Sequence, residues 1–297
     1  MKRIALLAAC AVALLLATAG CGPVKAGDGD LVDDWGMLAA AKVPEPEPGW
    51  CWLSTAVNAR DLGTVAATRQ ACDSDHSIET VTIGHLTGDA AKGSNPPTGE
   101  ALAPAWSECV KAADEFLGAA WGTGRVYVMV TPPPPSQWNG GARYYRCDAA
   151  ALRSEAGTLD LRKTTLKGTL AGGGELRLTC GASVGMTADS WDDITPAACT
   201  AAHDVEFVGT ITSPAKDFPA DGKAFTAAFD GLCESQLLAY TGMTKSAYGT
   251  QRSLSYGYWQ TGGKLEWAAG NHTARCYAVI DGKKISKSIK GIGNAQV

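Results

Sequence analysis

The cysteines restrict the fold of this chain more than any other feature, because eight of the ten fall into two sets of four with similar spacing. The gaps between neighbours are 21, 37 and 38 residues in the first set and 19, 34 and 43 residues in the second. Outside the cytoplasm, cysteines in even number usually pair in disulfides that stabilise small domains. The spacing therefore predicts two similar domains. The two sets are Cys51, Cys72, Cys109 and Cys147, and Cys180, Cys199, Cys233 and Cys276.

Three sequence blocks around these cysteines also occur twice. The first block reads C-x3-H-x2-E, the second reads W-x2-G-x4-R-C, and the third is a closing tetrapeptide, TLKG or SIKG. Agreement across separated blocks favours duplication of a whole domain. We expect two homologous domains, residues 50–168 and 169–297. The blocks lie at residues 72–79, 138–147 and 165–168, and again at residues 199–206, 267–276 and 288–291.

The N-terminus predicts export and attachment to a membrane. Lys2 and Arg3 precede an apolar stretch, residues 4–17, that is shorter than the ~20 residues of a membrane-spanning helix. Residues 1–20 are therefore predicted to be a signal peptide. Residues 18–21 (TAGC) resemble the bacterial lipobox, which implies acylation of Cys21; the alternative is an ordinary secretory signal with an incidental cysteine. The expected location is the extracytoplasmic face of the cell membrane, where a lipid anchors the chain.

Residues 21–49 are predicted to be a tether between the lipid and the folded domains. The segment contains GDGD at residues 27–30 and PEPEPG at residues 44–49. Alternating proline and glutamate favours an extended chain without an apolar core. We therefore expect an extended acidic arm in front of the first domain.

Residue patterns predict an α+β fold with two disulfide-stapled domains. Runs of β-branched and aromatic residues indicate strands on both sides of one amphipathic helix in each domain. This order is typical of a mostly antiparallel sheet with a helix on one face. The predicted strands span residues 78–83, 125–131, 205–212 and 252–260, and the predicted helices span residues 106–117 and 224–240, the latter capped by Gly242.

The pairing of the cysteines is open at this level, because four cysteines allow three pairings in each domain. We favour Cys51–Cys72 with Cys109–Cys147, and Cys180–Cys199 with Cys233–Cys276. The competing interpretation is zinc, which usually shows C-x2-C pairs that neither half contains. We therefore predict disulfides and no metal.

These blocks resemble the septum formation-related domain of actinobacterial membrane and secreted proteins. The resemblance depends on the C-x3-H-x2-E strand, a mid-domain cysteine on a helix and the terminal W-x2-G-x4-R-C block. It covers both halves, as tandem divergent copies. It implies a link to septum formation and cell division, and it brings no established catalytic activity.

His76 with Glu79 and His203 with Glu206 are the candidate polar sites. A carboxylate beside an imidazole is an arrangement that a general base or a metal ligand needs. Positions i and i+3 face opposite sides of a strand, so a direct contact requires a bulge or a turn. We expect a structural role near the disulfides, with binding and catalysis as the alternatives.

Common catalytic signatures are missing from the sequence. It has no H-E-x-x-H zinc site and no G-x-x-x-x-G-K-[ST] phosphate loop. We therefore predict that the protein is not an enzyme and uses no cofactor. A net charge of −4 without a basic run argues against nucleic acid as a partner.

The leading functional hypothesis is a non-enzymatic envelope protein with a binding role linked to septum formation. Its expected partners are the membrane, through the lipid, and envelope or division proteins or peptidoglycan. One alternative is a cell-wall glycan-binding module that uses exposed tryptophans, since tryptophan can stack on sugar rings. The other is a hydrolase or metal enzyme around His76 or His203. The tryptophans with the least explained positions are Trp35, Trp50, Trp52, Trp191 and Trp259.

Overall fold

The computed structural model describes residues 43–63, 65–187 and 190–297. The predicted signal peptide, the acylation site Cys21 and the tether up to residue 42 lie outside these residues. The end of the predicted tether contacts the first sheet. Gly49 N–H donates to the carbonyl of Thr80 at 2.7 Å, and Glu45 Oε2 lies 3.1 Å from His85 Nε2.

Five antiparallel strands in the first half of the chain form one sheet. The strands are β1 (Cys51–Ser54), β2 (Ala67–Gln70), β3 (Ile78–His85), β4 (Val126–Thr131) and β5 (Tyr144–Ala151). Their order across the sheet is β2-β1-β3-β5-β4, which places β5 beside the centre. Helix α1 (Ala103–Leu117) connects β3 to β4 and packs on the sheet, and the short helix α2 (Pro135–Asn139) precedes β5.

Five antiparallel strands in the second half form another sheet. The strands are β6 (Cys180–Val184), β7 (Asp193–Ala197), β8 (Val205–Thr212), β9 (Leu254–Gln260) and β10 (Thr273–Ile280). Their order, β7-β6-β8-β10-β9, is the order of the first sheet with each number raised by five. Helices α3 (Gly222–Thr241) and α4 (Lys245–Tyr248) lie between β8 and β9, and α5 (Lys264–Ala268) precedes β10. The fold is α+β with two sheet domains, as the sequence predicted.

The two long helices bury the sides that their periodicity indicated. On α1, Cys109 and Leu117 face the core, and on α3, Phe229 and Leu237 do so. Helix α3 ends at Gly242, whose φ of +68° is the left-handed C-cap conformation that the sequence predicted. Among the residues described, no helix combines the length and apolar character needed to cross a bilayer.

Four disulfides hold the two sheets. In each domain one disulfide joins the long helix (α1 or α3) to the strand beside the centre of the sheet (β5 or β10). The other joins the first strand (β1 or β6) to the segment that follows β2 or β7. The sulfurs of the helix-to-strand bridges are fully buried. The pairings are those favoured from the sequence, Cys51–Cys72, Cys109–Cys147, Cys180–Cys199 and Cys233–Cys276.

The W-x2-G-x4-R-C block buries a tryptophan in both domains. Trp138 and Trp267 are each 1% exposed, and each indole N–H donates to a backbone carbonyl. The guanidinium of Arg143 lies 3.9 Å from the Trp138 ring, and the His272 ring stacks 4.4 Å from the Trp267 ring. The matching positions 143 and 272 are therefore half-buried stacking partners of the tryptophans.

A buried ion pair joins the two domains. Arg275 on β10 places Nη1 3.0 Å from both carboxylate oxygens of Glu155, and the two side chains are 3% and 1% exposed. Arg275 Nη2 also donates to the carbonyl of Val126 at 2.7 Å. The repeat counterpart Arg146 instead pairs within the first domain, 3.0 Å from Asp148. Of the two arginines at this block position, only Arg275 therefore connects the two domains.

The segment between the two sheets packs into the core of the first domain. Leu170 and Leu176 are 0% and 1% exposed and contact the apolar cluster that α1 covers. Arg125 N–H donates to the carbonyl of Leu176 at 2.8 Å, and Leu178 N–H donates to that of Thr123 at 2.9 Å. All described residues belong to one compact unit.

Candidate functional site

The predicted His–Glu pairs lie at the start of the third strand of each sheet. His76 and His203 come just before β3 and β8, whereas Glu79 and Glu206 lie on these strands. All four side chains are buried. Each histidine forms an isolated antiparallel bridge with the closing segment of its own domain. This irregular backbone lets positions i and i+3 approach each other, which a regular strand would prevent.

In the second domain the pair forms a direct hydrogen bond. His203 Nε2 lies 3.0 Å from Glu206 Oε1. His203 Nδ1 lies 2.9 Å from the carbonyl oxygen of Ala201, and because a carbonyl only accepts, Nδ1 carries a hydrogen. A second proton therefore lies between Nε2 and Glu206, on one partner or the other. The pair is neutral overall in either state, which suits its complete burial.

In the first domain the same residues lie close without that hydrogen bond. His76 Nδ1 donates to the carbonyl of Ser74 at 2.9 Å. His76 Nε2 is buried and has no hydrogen-bond partner within the described ranges. The two copies of the motif therefore share the backbone anchor of the histidine and differ at its second ring nitrogen.

Each glutamate holds the closing tetrapeptide of its domain. Glu79 accepts from Thr165 Oγ1 and from the N–H of Leu166, both at 2.7 Å. Glu206 accepts from Ser288 Oγ at 2.7 Å and from the next backbone N–H at 2.9 Å. The first and third repeated blocks are thus in contact. This geometry favours the structural role for the pairs over binding or catalysis.

Glu206 has one further donor that Glu79 lacks. The hydroxyl of Tyr240, near the end of α3, donates to Glu206 Oε2 at 2.7 Å. Burial raises the pKa of Tyr240, and the Glu206 carboxylate adds to the effect. The backbone position that matches Tyr240 in the first domain is Phe116, which has no hydroxyl. The second pair is therefore the more completely hydrogen-bonded of the two.

Each His–Glu pair lies beside one sulfur of a disulfide. Within each group the potential metal-ligand atoms lie within 4.8 Å of one another. Both sulfurs are already bonded in disulfides, and metals take the thiolate. Each group thus offers one imidazole and one carboxylate, fewer than the three protein ligands of a typical zinc site. The groups are Cys51, His76 and Glu79, and Cys180, His203 and Glu206.

A cleft of about 840 Å³ lies between the two domains, away from the His–Glu pairs. Ser255, Gly257 and Trp259 of β9 line one side. These alternate residues point away from α3, because Tyr258 between them contacts Phe229 of that helix. The side of the second sheet that has no helix thus forms one wall, and the first domain forms the other.

The buried ion pair forms part of this cleft. Arg275 and Glu155 both line it. Both oxygens of Glu155 accept from Arg275, so this carboxylate is fully engaged between the domains. The ion pair therefore holds the two walls of the cleft together through hydrogen bonds. Glu155 is not available there as a free acid.

Trp191 and Trp259 form an aromatic side of the cleft. Both are half-buried and belong to one cluster with Tyr277, and the Trp191 ring meets the Tyr277 ring edge-on at 6.3 Å. Trp191 lies directly on Gly257, where a Cβ would come within 2.2 Å of the indole. Only glycine allows this approach. The Trp191 ring therefore lies in direct contact with the backbone of β9.

Polar groups from both domains complete the lining, and their charges cancel. The hydroxyl of Tyr127 donates to Glu266 Oε1 at 3.4 Å, and burial, with help from that carboxylate, raises the pKa of Tyr127. Among the residues that the structure describes, the charged side chains of the cleft are three cations and three carboxylates, Arg60, Lys264, Arg275, Glu155, Glu266 and Asp281.

The sequence singled out Trp191 and Trp259 but did not bring them together. The other tryptophans noted with them have different positions. Arg69 lies 3.7 Å from the ring of Trp50 and Arg146 lies 4.2 Å from the ring of Trp52, while Trp35 lies outside the described residues. The aromatic wall could have been suspected only from the fact that neither Trp191 nor Trp259 belongs to a repeated block.

Comparison with known families gives one result. Residues 48–276 match the model of a family described as septum formation. The match is a single stretch that spans both sheets, rather than one match for each. The curated proteins and the solved structures give no match.

Proposed function

The chain belongs to the septum formation family, and from this membership we propose that it is a binding protein of the cell envelope that acts when the septum forms. In this proposal a lipid on Cys21 holds the mature chain at the outer face of the membrane. Two homologous sheet domains, which arose by duplication, then form the binding body.

The proposed location is supported by two features of the chain. The four disulfides suit an oxidising compartment outside the cytoplasm. The TAGC sequence at residues 18–21 supplies a cysteine for acylation, and two or more acyl chains hold a protein stably on a membrane. Metabolic labelling with a palmitate analogue tests this: label on the wild type and none on Cys21→Ala is expected. An unlabelled wild type, or label that persists in the variant, contradicts it.

The interdomain cleft is the observation that most supports a binding role. Its volume of about 840 Å³ falls in the range of ~300–1,000 Å³ that is common for ligand sites. It also combines aromatic walls with a few polar groups, as such sites usually do. The His–Glu pairs offer no comparable opening, because the two imidazoles are 2% and 0% exposed.

A non-enzymatic role is the better proposal for this cleft. Glu155 is fully engaged by Arg275, and Glu266 accepts from Tyr127 and from the N–H of Gly263. Carboxylates engaged in this way are poorly placed to act as a general acid or base. A hydrolase screen with elemental analysis of the mature protein is expected to find neither activity nor metal. Turnover that depends on His76 or His203 would overturn this part.

The proposed role in septum formation is tested by the location of the full-length protein in dividing cells. Immunofluorescence is expected to show enrichment at septa, because a protein that binds material made there concentrates with it. A variant with Cys21→Ala is expected to leave the membrane fraction. A wild-type signal spread evenly around the cell periphery would contradict the proposal.

A further inference from the structure

We propose that the free edge of β9 binds an extended peptide by strand addition, with an acidic residue at the N-terminal end of the peptide. This inference rests on the proposed binding function and names the class of ligand. Three observations support it. The interdomain cleft runs along this edge, the edge lacks the features that protect the other sheet edges, and the exposed cations of the cleft lie near the end of β9.

The cleft follows the edge of β9 rather than only one face of the second sheet. On β10, an inner strand, the lining residues are Arg275 and Val279, whose even spacing places both on one face. On β9, which has a neighbouring strand on one side only, every residue in the range 255–260 lines the cleft. The side chains of Tyr256 and Tyr258 are hydrogen-bonded to α3, so it is their backbone that borders the cleft.

Half of the backbone groups of β9 point outward along this edge. Residues of an antiparallel strand alternate between bonding to the partner strand and pointing away from it. Thr261 N–H donates to the carbonyl of Thr273 at 3.2 Å, and the register between β9 and β10 is continuous. The odd-numbered residues of β9 therefore bond to β10. The N–H and C=O groups of Tyr256 and Tyr258 point away from it, and no other described residue bonds to them.

The other sheet edges carry features that oppose strand addition, and β9 does not. Natural proteins protect exposed edges with short strands, prolines or charges. Strand β2 has four residues and includes Arg69, and β7 contains Asp193 and Pro196. The carbonyl at the start of β4 accepts from Arg275, and four prolines follow that strand. Strand β9 has seven residues, LSYGYWQ, with neither a charge nor a proline. Such an edge is a ready template for another strand.

The space beside β9 suits a single extended chain. The hydroxyl of Tyr127 on β4 donates to Glu266, just beyond the end of β9, so the opposite wall of the cleft stands close to the edge. A volume of about 840 Å³ between two such walls favours one strand over the edge of another folded sheet. Alternate side chains of an added strand would lie on the same face as Trp259, where apolar residues fit.

The exposed charges of the cleft determine the charge pattern of the peptide. Arg60, Lys264 and Asp281 line the cleft, are exposed and have no ion-pair partner in the part of the chain that the structure describes. Lys264 follows the end of β9, and Arg60 lies near Tyr127 at the same end. Asp281 bonds through its N–H to Ser253, just before β9. An antiparallel peptide, the more stable direction, begins at the end of β9, so an acidic N-terminal end and a basic C-terminal end complement these charges.

Calorimetric titration of the mature protein, with disulfides intact, tests the inference. The probe is a designed peptide with blocked ends, Asp-Val-Thr-Val-Thr-Val-Lys, whose central residues favour a strand. We expect it to bind, and the peptide with its two end charges exchanged to bind at least tenfold more weakly. Methylation of the threonine amides and, separately, of the valine amides removes donors from opposite edges of the peptide. One methylated peptide should lose binding and the other should keep it; equal affinities of the two would overturn the inference.

A matched pair of variants tests the same edge on the protein. Tyr256→Pro removes an outward N–H that the ladder to β10 does not use, and proline is tolerated at such a position of an edge strand. Tyr256→Ala also loses the tyrosine side chain but keeps the N–H. We expect Tyr256→Pro to weaken binding of the probe peptide at least tenfold and Tyr256→Ala to change it less than threefold. An equal loss in the two variants would overturn the inference.

Amide hydrogen exchange, measured by NMR, gives a readout that needs no substitution. In the free protein the amides of Tyr256 and Tyr258 should exchange rapidly, whereas that of Gly257, bonded to β10, should exchange slowly. Bound peptide should slow the first two at least tenfold. Slow exchange of both in a peptide-free monomer would mean that the chain covers its own edge, and the same protection in a dimer seen by sedimentation would mean that a second copy does. Either result would overturn the inference.

The outcomes also separate this inference from the proposed function. Enrichment at septa without peptide binding would overturn the inference and leave the envelope role in place. Peptide binding that depends on the free edge of β9, in a protein spread evenly over the cell, would support the ligand class and contradict the septal role.

Discussion

Removal of the Arg275 guanidinium is expected to destabilise the fold by about 3–5 kcal/mol. The substitution Arg275→Met keeps most of the aliphatic stem, so the loss is mainly electrostatic. It leaves Glu155, whose side chain is 1% exposed, without its ion-pair partner. A buried charge without a partner pays its full desolvation cost.

The magnitude follows from the bonds that are lost. Arg275 donates twice to Glu155, once to the carbonyl of Val126 and once, at 3.2 Å, to that of Gly122. Hydrogen bonds to charged groups contribute roughly 1.5–3 kcal/mol each and neutral ones roughly 1 kcal/mol. Because these terms overlap, the total is best compared with the ~3–5 kcal/mol measured when one partner of a buried pair is removed.

Denaturation by guanidinium chloride, followed by tryptophan fluorescence, measures this loss. The matched control is Arg146→Met at the equivalent repeat position. Its side chain is more exposed, at 14%, and Asp148 keeps donors from Thr80 and Thr131. Burial also raises the pKa of Asp148, against the opposing effect of Arg146, so this acid can neutralise itself. We expect a smaller loss of about 1–3 kcal/mol.

A double variant completes the test. Glu155→Leu combined with Arg275→Met replaces the pair by apolar groups and should recover most of the stability lost in Arg275→Met, because no buried charge remains. A loss below about 1 kcal/mol in Arg275→Met, or a double variant as unstable as the sum of its single variants, would refute this account of the interface.

Three further predictions concern the framework. Replacing Cys233 and Cys276 with serine should lower the free energy of unfolding by about 4 kcal/mol, because the disulfide spans 43 residues; a loss under about 1 kcal/mol would contradict the chain-entropy argument. Gly270→Ala should lower the melting temperature, since φ is +107° and a Cβ would lie 3.2 Å from Trp106. Gly231→Ala, where a Cβ in α3 meets nothing within 4 Å, should raise it; equal effects would refute the comparison. All eight tyrosines have pKa values raised, mainly by burial. The folded protein therefore holds phenol protons that the unfolded chain releases, so stability is full below about pH 10 and falls above it. Ultraviolet titration should show phenolate appearing together with unfolding, and several tyrosines titrating near pH 10 in the folded protein would contradict this.

The framework of the fold was readable from the sequence because its signals are local and repeated. Helix α3 has a regular apolar period and a glycine cap, and β8 is a run of β-branched residues, so both were placed within two residues of their observed bounds. Six of the described strands, β1, β2, β5, β6, β7 and β10, were not among those predicted. The short strands β2 and β7 illustrate the reason. They read ATRQ and DITPA, and β7 contains a proline, which an edge strand tolerates but which weakens a strand signal.

The cleft was not readable because it depends on packing between the domains. Trp191 precedes β7 and Trp259 lies on β9, and nothing in their local sequence indicates that Gly257 brings them together. Arg146 and Arg275 occupy equivalent positions in the two W-x2-G-x4-R-C blocks. Their partners differ because Arg275 reaches Glu155 of the other domain, and only the arrangement of the two sheets decides that contact.

The connector between the sheets determines where the chain can be divided. A fragment that stops at residue 168 would lack Leu170 and Leu176, leaving two unfilled hollows under α1 and an unpaired amide on Arg125. A recombinant version of the first domain must therefore extend to about residue 178, and an exchange of domains between relatives must move this stretch together with the first sheet.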